Sequence, residues 1–129
     1  MRLYREGVCE FAYRSQRGDY RAVPSRTFLE YSHDALAYFA SVYQRVGYYG
    51  RVRVWIGVED AETSVLIVNN IERPEGTTNL QTVVTWTDTN VESLLTDPLP
   101  AVHQAMDEIW QAYGYPACWL FQDGEYRPE

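Results

Sequence analysis

Residues 51–60 read RVRVWIGVED, and their alternation decides the architecture of the chain. Val52, Val54, Ile56 and Val58 fall on one side of an extended backbone; Arg51, Arg53, Trp55 and Gly57 fall on the other. Successive side chains of a strand point to opposite faces, so this segment reads as a strand with one buried face and one wet face. The wet face carries two guanidinium groups and an indole, which is chemistry suited to recognition.

Upstream of this strand the period changes. Phe28, Ser32, Ala35, Leu36, Phe39, Val42, Tyr43 and Val46 recur at spacings of three and four, one face of an amphipathic helix. Either Ser25 or Ser32 supplies its N-cap. Gly47 is its stop, because the residue after a helix adopts a left-handed conformation that only glycine accepts without strain. Further upstream, residues 2–13 alternate around GVCEFAYR, Gly18-Asp19 is a turn, and residues 20–23 return as a short strand ended by Pro24. Together these predict a hairpin.

Downstream, DAET is a turn and SVLIVNN a further strand. ERPEGTTN (72–79) is a polar loop, and LQTVVTWTD (80–88) resumes a strand pattern rich in Thr, Val and Trp. Asp97-Pro98 opens a second helix, with Asp as N-cap and Pro at the first helical position. Leu99, Val102, Met106, Ile109 and Tyr113 form its apolar stripe, and Gly114 ends it. ACWLFQ is a last strand and DGEYRPE a turn and tail. The order predicts an α+β fold in one domain spanning 1–129: a largely antiparallel sheet of about six strands with two amphipathic helices packed on one face.

The two helix ends echo one another. Residues 42–48 read VYQRVGY and 109–115 read IWQAYGY. Segments 28–58 and 95–122 therefore read either as a pseudo-repeat of related units or as convergence on the same capping chemistry.

The same phrases carry a family resemblance. ALAYFASVYQRVGYYGRVRVWIGVED resembles the region that follows the AlbA-type domain in bacterial Schlafen AlbA-type proteins. LPAVHQAMDEIWQAYGYPACWLFQDGEYRP is similar to the C-terminal end of the same proteins. The likeness covers roughly residues 28–58 and 98–128. No segment resembles the Gly-rich, Arg/Lys-bearing core of the AlbA-type domain itself. The resemblance thus implies a C-terminal accessory domain and carries no nucleotide- or DNA-binding residue onto this chain.

Composition narrows the function classes. With 129 residues, 46% hydrophobic and 15% aromatic, the chain suffices for one core with aromatics to spare for a surface. No apolar run approaches the roughly 20 residues of a membrane span, and MRLYREGVCEF lacks the apolar core of a signal peptide; a cytoplasmic protein is expected. All 11 basic residues are Arg. Residues 1–53 hold nine Arg against five acids, net +4; residues 54–129 hold two Arg against thirteen acids, net −11. Such asymmetry fits a basic contact face or two halves that attract each other. Net acidity works against tight nucleic-acid binding.

No Walker loop, GxGxxG, GxSxG, HExxH or paired-cysteine motif occurs, so no cofactor or metal is expected. A thiol hydrolase could be drawn from Cys118, His103 and Asp107 or Glu108. A buried structural thiol is the simpler reading of a cysteine in an apolar strand. Glu59, Asp60 and Glu62 could chelate a hard cation, but a solubilising turn explains them as well. The stronger candidate surface is aromatic and basic: Arg14, Arg17 and Tyr20 in the first hairpin, and Arg51, Arg53 and Trp55 on one strand face. Such a face suits an acidic protein partner, single-stranded nucleic acid or stacked nucleotides. The leading expectation is a non-enzymatic association domain, with self-association as a homodimer foremost. A nucleic-acid or nucleotide surface is the alternative.

Overall fold

The alternating stretch forms the strand predicted for it, and its burial alternates in the same phase. The computed structural model describes residues 2–3, 9–12, 21–68, 71–72, 77–118, 120–123 and 125–127. In chain order these build β1 (Arg2–Leu3), β2 (Cys9–Glu10), β3 (Arg21–Pro24) and α1 (Ser25–Arg45). Then come β4 (Arg51–Glu59), a 3-10 turn (Ala61–Thr63), β5 (Ser64–Val68), β6 (Ile71–Glu72) and β7 (Thr82–Asn90). The chain closes with α2 (Val91–Thr96), α3 (Leu99–Ala112), β8 (Phe121–Gln122) and β9 (Glu125–Tyr126).

The fold is α+β, but the predicted sheet of about six strands is replaced by several small ones. β4 and β7 form a long antiparallel ribbon, β3, β5 and β6 a three-stranded sheet, and β1–β2 and β8–β9 two short antiparallel pairs. Period-two alternation fixes which side of a strand is buried and says nothing about which strand lies beside it. β3 shows the consequence. Among the described residues it pairs with neither β1 nor β2, and its ladder runs parallel with β5, Arg21 opposite Ser64. Parallel pairing needs a long crossover, which residues 25–63 provide through α1. Residues 2–13 are not one strand either, since β2 folds back on β1 with Arg2 opposite Glu10. The turn proposed at Gly18-Asp19 lies outside the described residues.

The helices also depart from a single layer. α3 packs on the inner face of the β4–β7 ribbon, whereas α1 packs chiefly on α2, α3 and β5. The core gathers between these elements around Leu29, Leu66, Val91, Val102, Met106, Ile109, Trp110 and Tyr113. Tyr113 reaches across it to share a hydrogen bond with the Ser64 hydroxyl, and burial raises its phenol pKa.

Local capping chemistry explains the helix boundaries. α1 starts at Ser25, and neither predicted serine caps it: Pro24 holds the N-cap position, with no side-chain cap hydrogen bond. Ser32 is not a cap but an interior residue whose hydroxyl donates to the Phe28 carbonyl at 2.8 Å. Both helices of the echo end in the same motif. Tyr48 N–H donates to Tyr43 O and Gly47 N–H to Gln44 O; Tyr115 N–H donates to Trp110 O and Gly114 N–H to Gln111 O. Gly47 at φ 81° and Gly114 at φ 96° take the left-handed position. These are Schellman caps, as the glycines imply. Asp97 accepts from Leu99 N–H at 3.0 Å, the capping role expected for it.

α2 was not anticipated. Its signal is the Asn90 side chain, which accepts from Ser93 N–H at 2.7 Å as an N-cap. The predicted strand over 117–122 shrinks to Phe121–Gln122, which turns at Asp123 (φ 53°) to pair with Glu125–Tyr126 in the supposed tail. Among the described residues no helix is long and apolar enough to cross a membrane.

Candidate interaction surface on the β4–β7 ribbon

The hydrogen-bond phase of the ribbon follows from its two ends. Val91 N–H donates to Gly50 O at 3.0 Å, and Ala61 N–H donates to Gln81 O at 2.8 Å. Antiparallel strands alternate between hydrogen-bonded and non-bonded residue pairs. Stepping by two from the Gly50–Val91 end, Val52–Thr89, Val54–Thr87, Ile56–Thr85 and Val58–Val83 take the hydrogen-bonded positions. Arg53–Asp88, Trp55–Trp86 and Gly57–Val84 take the non-bonded positions. Non-bonded pairs bring backbones and side chains closest together. At the far end Asp60, in a left-handed conformation (φ 54°), is the extra residue that shifts Ala61 opposite Gln81.

The inner face is sealed: Val54, Ile56, Val83 and Thr85 are buried. α3 is tied to it by hydrogen bonds from Thr85 to the Glu108 carboxylate and from Thr87 to Gln104. The outer face is open. Trp55 is 59% exposed, Val84 55% and Trp86 50%. The Trp55 and Trp86 rings lie 6.2 Å apart at 43°. Gly57 belongs to this arrangement, because a Cβ there would sit 2.6 Å from the Val83 carbonyl oxygen.

Arg53 organises the rest of the face. It holds Asp88 with two hydrogen bonds, Nε to Oδ1 at 2.8 Å and Nη2 to Oδ2 at 3.2 Å. Its guanidinium carbon stands 4.3 Å over the Trp86 ring, within cation–π range. The hydrogen bond to Asp88 raises the Arg53 pKa, and the same bond lowers that of Asp88, helped by the charge of Arg51. The fork that would grip a phosphate is therefore already occupied by a carboxylate.

No protein-family model, curated protein or solved structure matches this chain. The surface has to be judged on its own chemistry.

Of the residues singled out in the sequence, Arg51, Arg53 and Trp55 lie together on the open face of β4. Arg14, Arg17 and Tyr20 lie outside the described residues. Trp86, Val84 and Asp88 complete the face and were missed. Their alternation was visible in TVVTWTD, but joining them to Trp55 required the register of the two strands.

The alternative chemistry finds little support. Burial pushes the Cys118 thiol pKa up to about 12, so it is protonated at neutral pH. Asp107 accepts from the Cys118 backbone N–H at 2.9 Å and also meets His103 Nε2 at 3.2 Å. His103 in turn stacks on Phe121, ring centroids 3.9 Å apart. Glu108 is turned the other way, to Thr85. These contacts brace the end of α3 against the C-terminal strands and present no activated nucleophile. Glu59 and Glu62 are exposed around the 3-10 turn. No group of three metal-ligating side chains gathers among the described residues.

Proposed function

We propose that this domain is a non-enzymatic association module whose docking surface is the outer face of the β4–β7 ribbon, with a second copy of the chain as its first partner. The observation that carries the reading is the adjacent pair Trp55–Trp86, both half or more exposed beside Val84. Contiguous exposed apolar surface of this kind marks interaction sites, and aromatic anchors dominate their energetics.

The size of the face sets the strength. Two strands of nine residues offer a footprint of roughly 30 Å by 10 Å, about 300 Å² per partner. A stable interface buries about 800 Å² per partner. Association through this face alone is therefore weak and reversible. A nucleic-acid role is the second reading. Arg51 favours it; the Arg53–Asp88 pair and the net charge of −7 oppose it.

Sedimentation velocity over a concentration series tests the proposal. The wild type is expected to shift toward a dimer as concentration rises, and the Trp55→Ser/Trp86→Ser variant to remain monomeric. A wild type that stays strictly monomeric at millimolar concentration contradicts self-association. Salt-sensitive binding of a single-stranded oligonucleotide that is lost in Arg51→Ala/Arg53→Ala would instead favour the second reading.

A further inference from the structure

We infer that the outer edge of β7 is a strand-addition site for an extended, alternately basic and apolar segment of a partner polypeptide. The inference deepens the proposed association role and uses a different part of the ribbon: the edge, not the Trp face.

A groove of about 420 Å³ is lined by Val84, Thr85, Trp86, Thr87 and Asp88, with Gln104 and Glu108 of α3 as its other wall. Five consecutive strand residues line it. A cavity on one face of a strand would meet every second residue, so this groove runs along the edge. β7 has β4 as its sole ladder partner among the described residues. The phase derived above turns the backbone N–H and C=O groups of Val84, Trp86 and Asp88 away from β4, into the groove. Thr82–Asn90 contains no Pro, Lys or Arg, and the described ladder runs unbroken along it. Those are the usual means by which edge strands discourage pairing.

The walls specify the occupant. On the helix side stand Glu108 and Gln104; on the outer side stand Trp86 and Val84. No Arg lines the groove, and residues 54–129 carry a net charge of −11. An added strand places alternate side chains on opposite sides. Basic residues would then face Glu108, and apolar ones would lie against Trp86 and Val84. Five lining residues accommodate a segment of about five or six residues, roughly 17 Å long. A second copy of β7 fits poorly. Pairing two β7 strands about a two-fold axis at Thr85 would bring together two Glu108 carboxylates, each tethered to its own Thr85.

The test uses three blocked hexapeptides: alternating Lys-Val, alternating Glu-Val, and Lys-Val N-methylated at every amide. The readout is amide exchange on the full chain followed by NMR. The Lys-Val peptide is expected to slow exchange at Val84, Trp86 and Asp88 by about tenfold or more, leaving Val83, Thr85 and Thr87 as they were. The Glu-Val and N-methylated peptides are expected to leave all six amides unchanged. Val84→Pro removes only an outward N–H, so it should keep the fold and lose the peptide. Glu108→Gln should weaken Lys-Val binding by about threefold or more and flatten its salt dependence. Trp55→Ser should retain peptide binding even where dimerisation is lost, which separates this inference from the proposal on the Trp face. Binding of the N-methylated or Glu-Val peptide as tight as Lys-Val overturns the inference. So does absence of Lys-Val binding at millimolar concentration, or concentration-dependent protection of the same amides without peptide. Should Val84→Pro fail to fold, the N-methylated peptide still decides.

Discussion

The two faces of the β4–β7 ribbon are written by the same eighteen residues and meet opposite fates. Val54, Ile56, Val83 and Thr85 are buried under α3, while Trp55, Val84 and Trp86, one step along each strand, stand in solvent. A shift of one residue would exchange the faces. What keeps the register is the inner face, where aliphatic packing and the bonds from Thr85 and Thr87 to α3 decide. The outer face is then at liberty to carry costly groups, and it carries two indoles. On the proposed function, stability sits on one side of the ribbon and recognition on the other.

Substitutions should separate the two. The largest effect is expected at Ile56→Ala, which truncates a buried side chain and should cost about 2–5 kcal/mol in denaturant unfolding. Gly57→Ala follows: its methyl meets the Val83 carbonyl oxygen, and the backbone shift should cost about 1–3 kcal/mol. Trp86→Ser on the open face should change stability by less than about 1 kcal/mol while weakening association about tenfold or more. A stability loss at Trp86→Ser equal to that at Ile56→Ala would break the comparison.

The smallest effect concerns Arg53 and Asp88, an exposed pair. The folded pKa of Asp88 lies below its ordinary value. Any stabilisation from the pair is therefore present above the unfolded carboxylate pKa, about 3.9. It is lost as pH falls through the lower folded value. Thermal unfolding of wild type and Asp88→Asn should differ slightly at neutral pH and converge as pH falls through the lowered folded pKa of Asp88, and 1 M salt should remove most of the difference.

Much of this was legible from short stretches. The alternation at 51–60 gave β4 and its two faces. Gly47 and Gly114 gave two helix ends whose C-cap residues, Val46 and Tyr113, share the same φ and ψ of −91° and 6°. Equal caps did not mean equal surroundings: Val46 is 72% exposed and Tyr113 fully buried. Capping depends on neighbours four or five residues away, whereas burial depends on what the rest of the chain brings alongside. The same limit hid the candidate site. Arg53 and Trp55 were visible as one face, but Asp88 and Trp86 lie more than thirty residues away and joined them only through the strand register. It also hid the parallel pairing of β3 with β5, which depends on where α1 delivers the chain.

The central claim is that the Trp55–Trp86 face is where this domain meets its partner. Indole N–H resonances test it directly, because Trp110 is an internal control buried in the core. As protein concentration rises from about 10 μM toward 1 mM, the range in which so small a face should begin to associate, the indole signals of Trp55 and Trp86 are expected to move together while that of Trp110 stays fixed. Stationary Trp55 and Trp86 signals in a sample that light scattering shows to be associating would contradict the account and place the interface elsewhere.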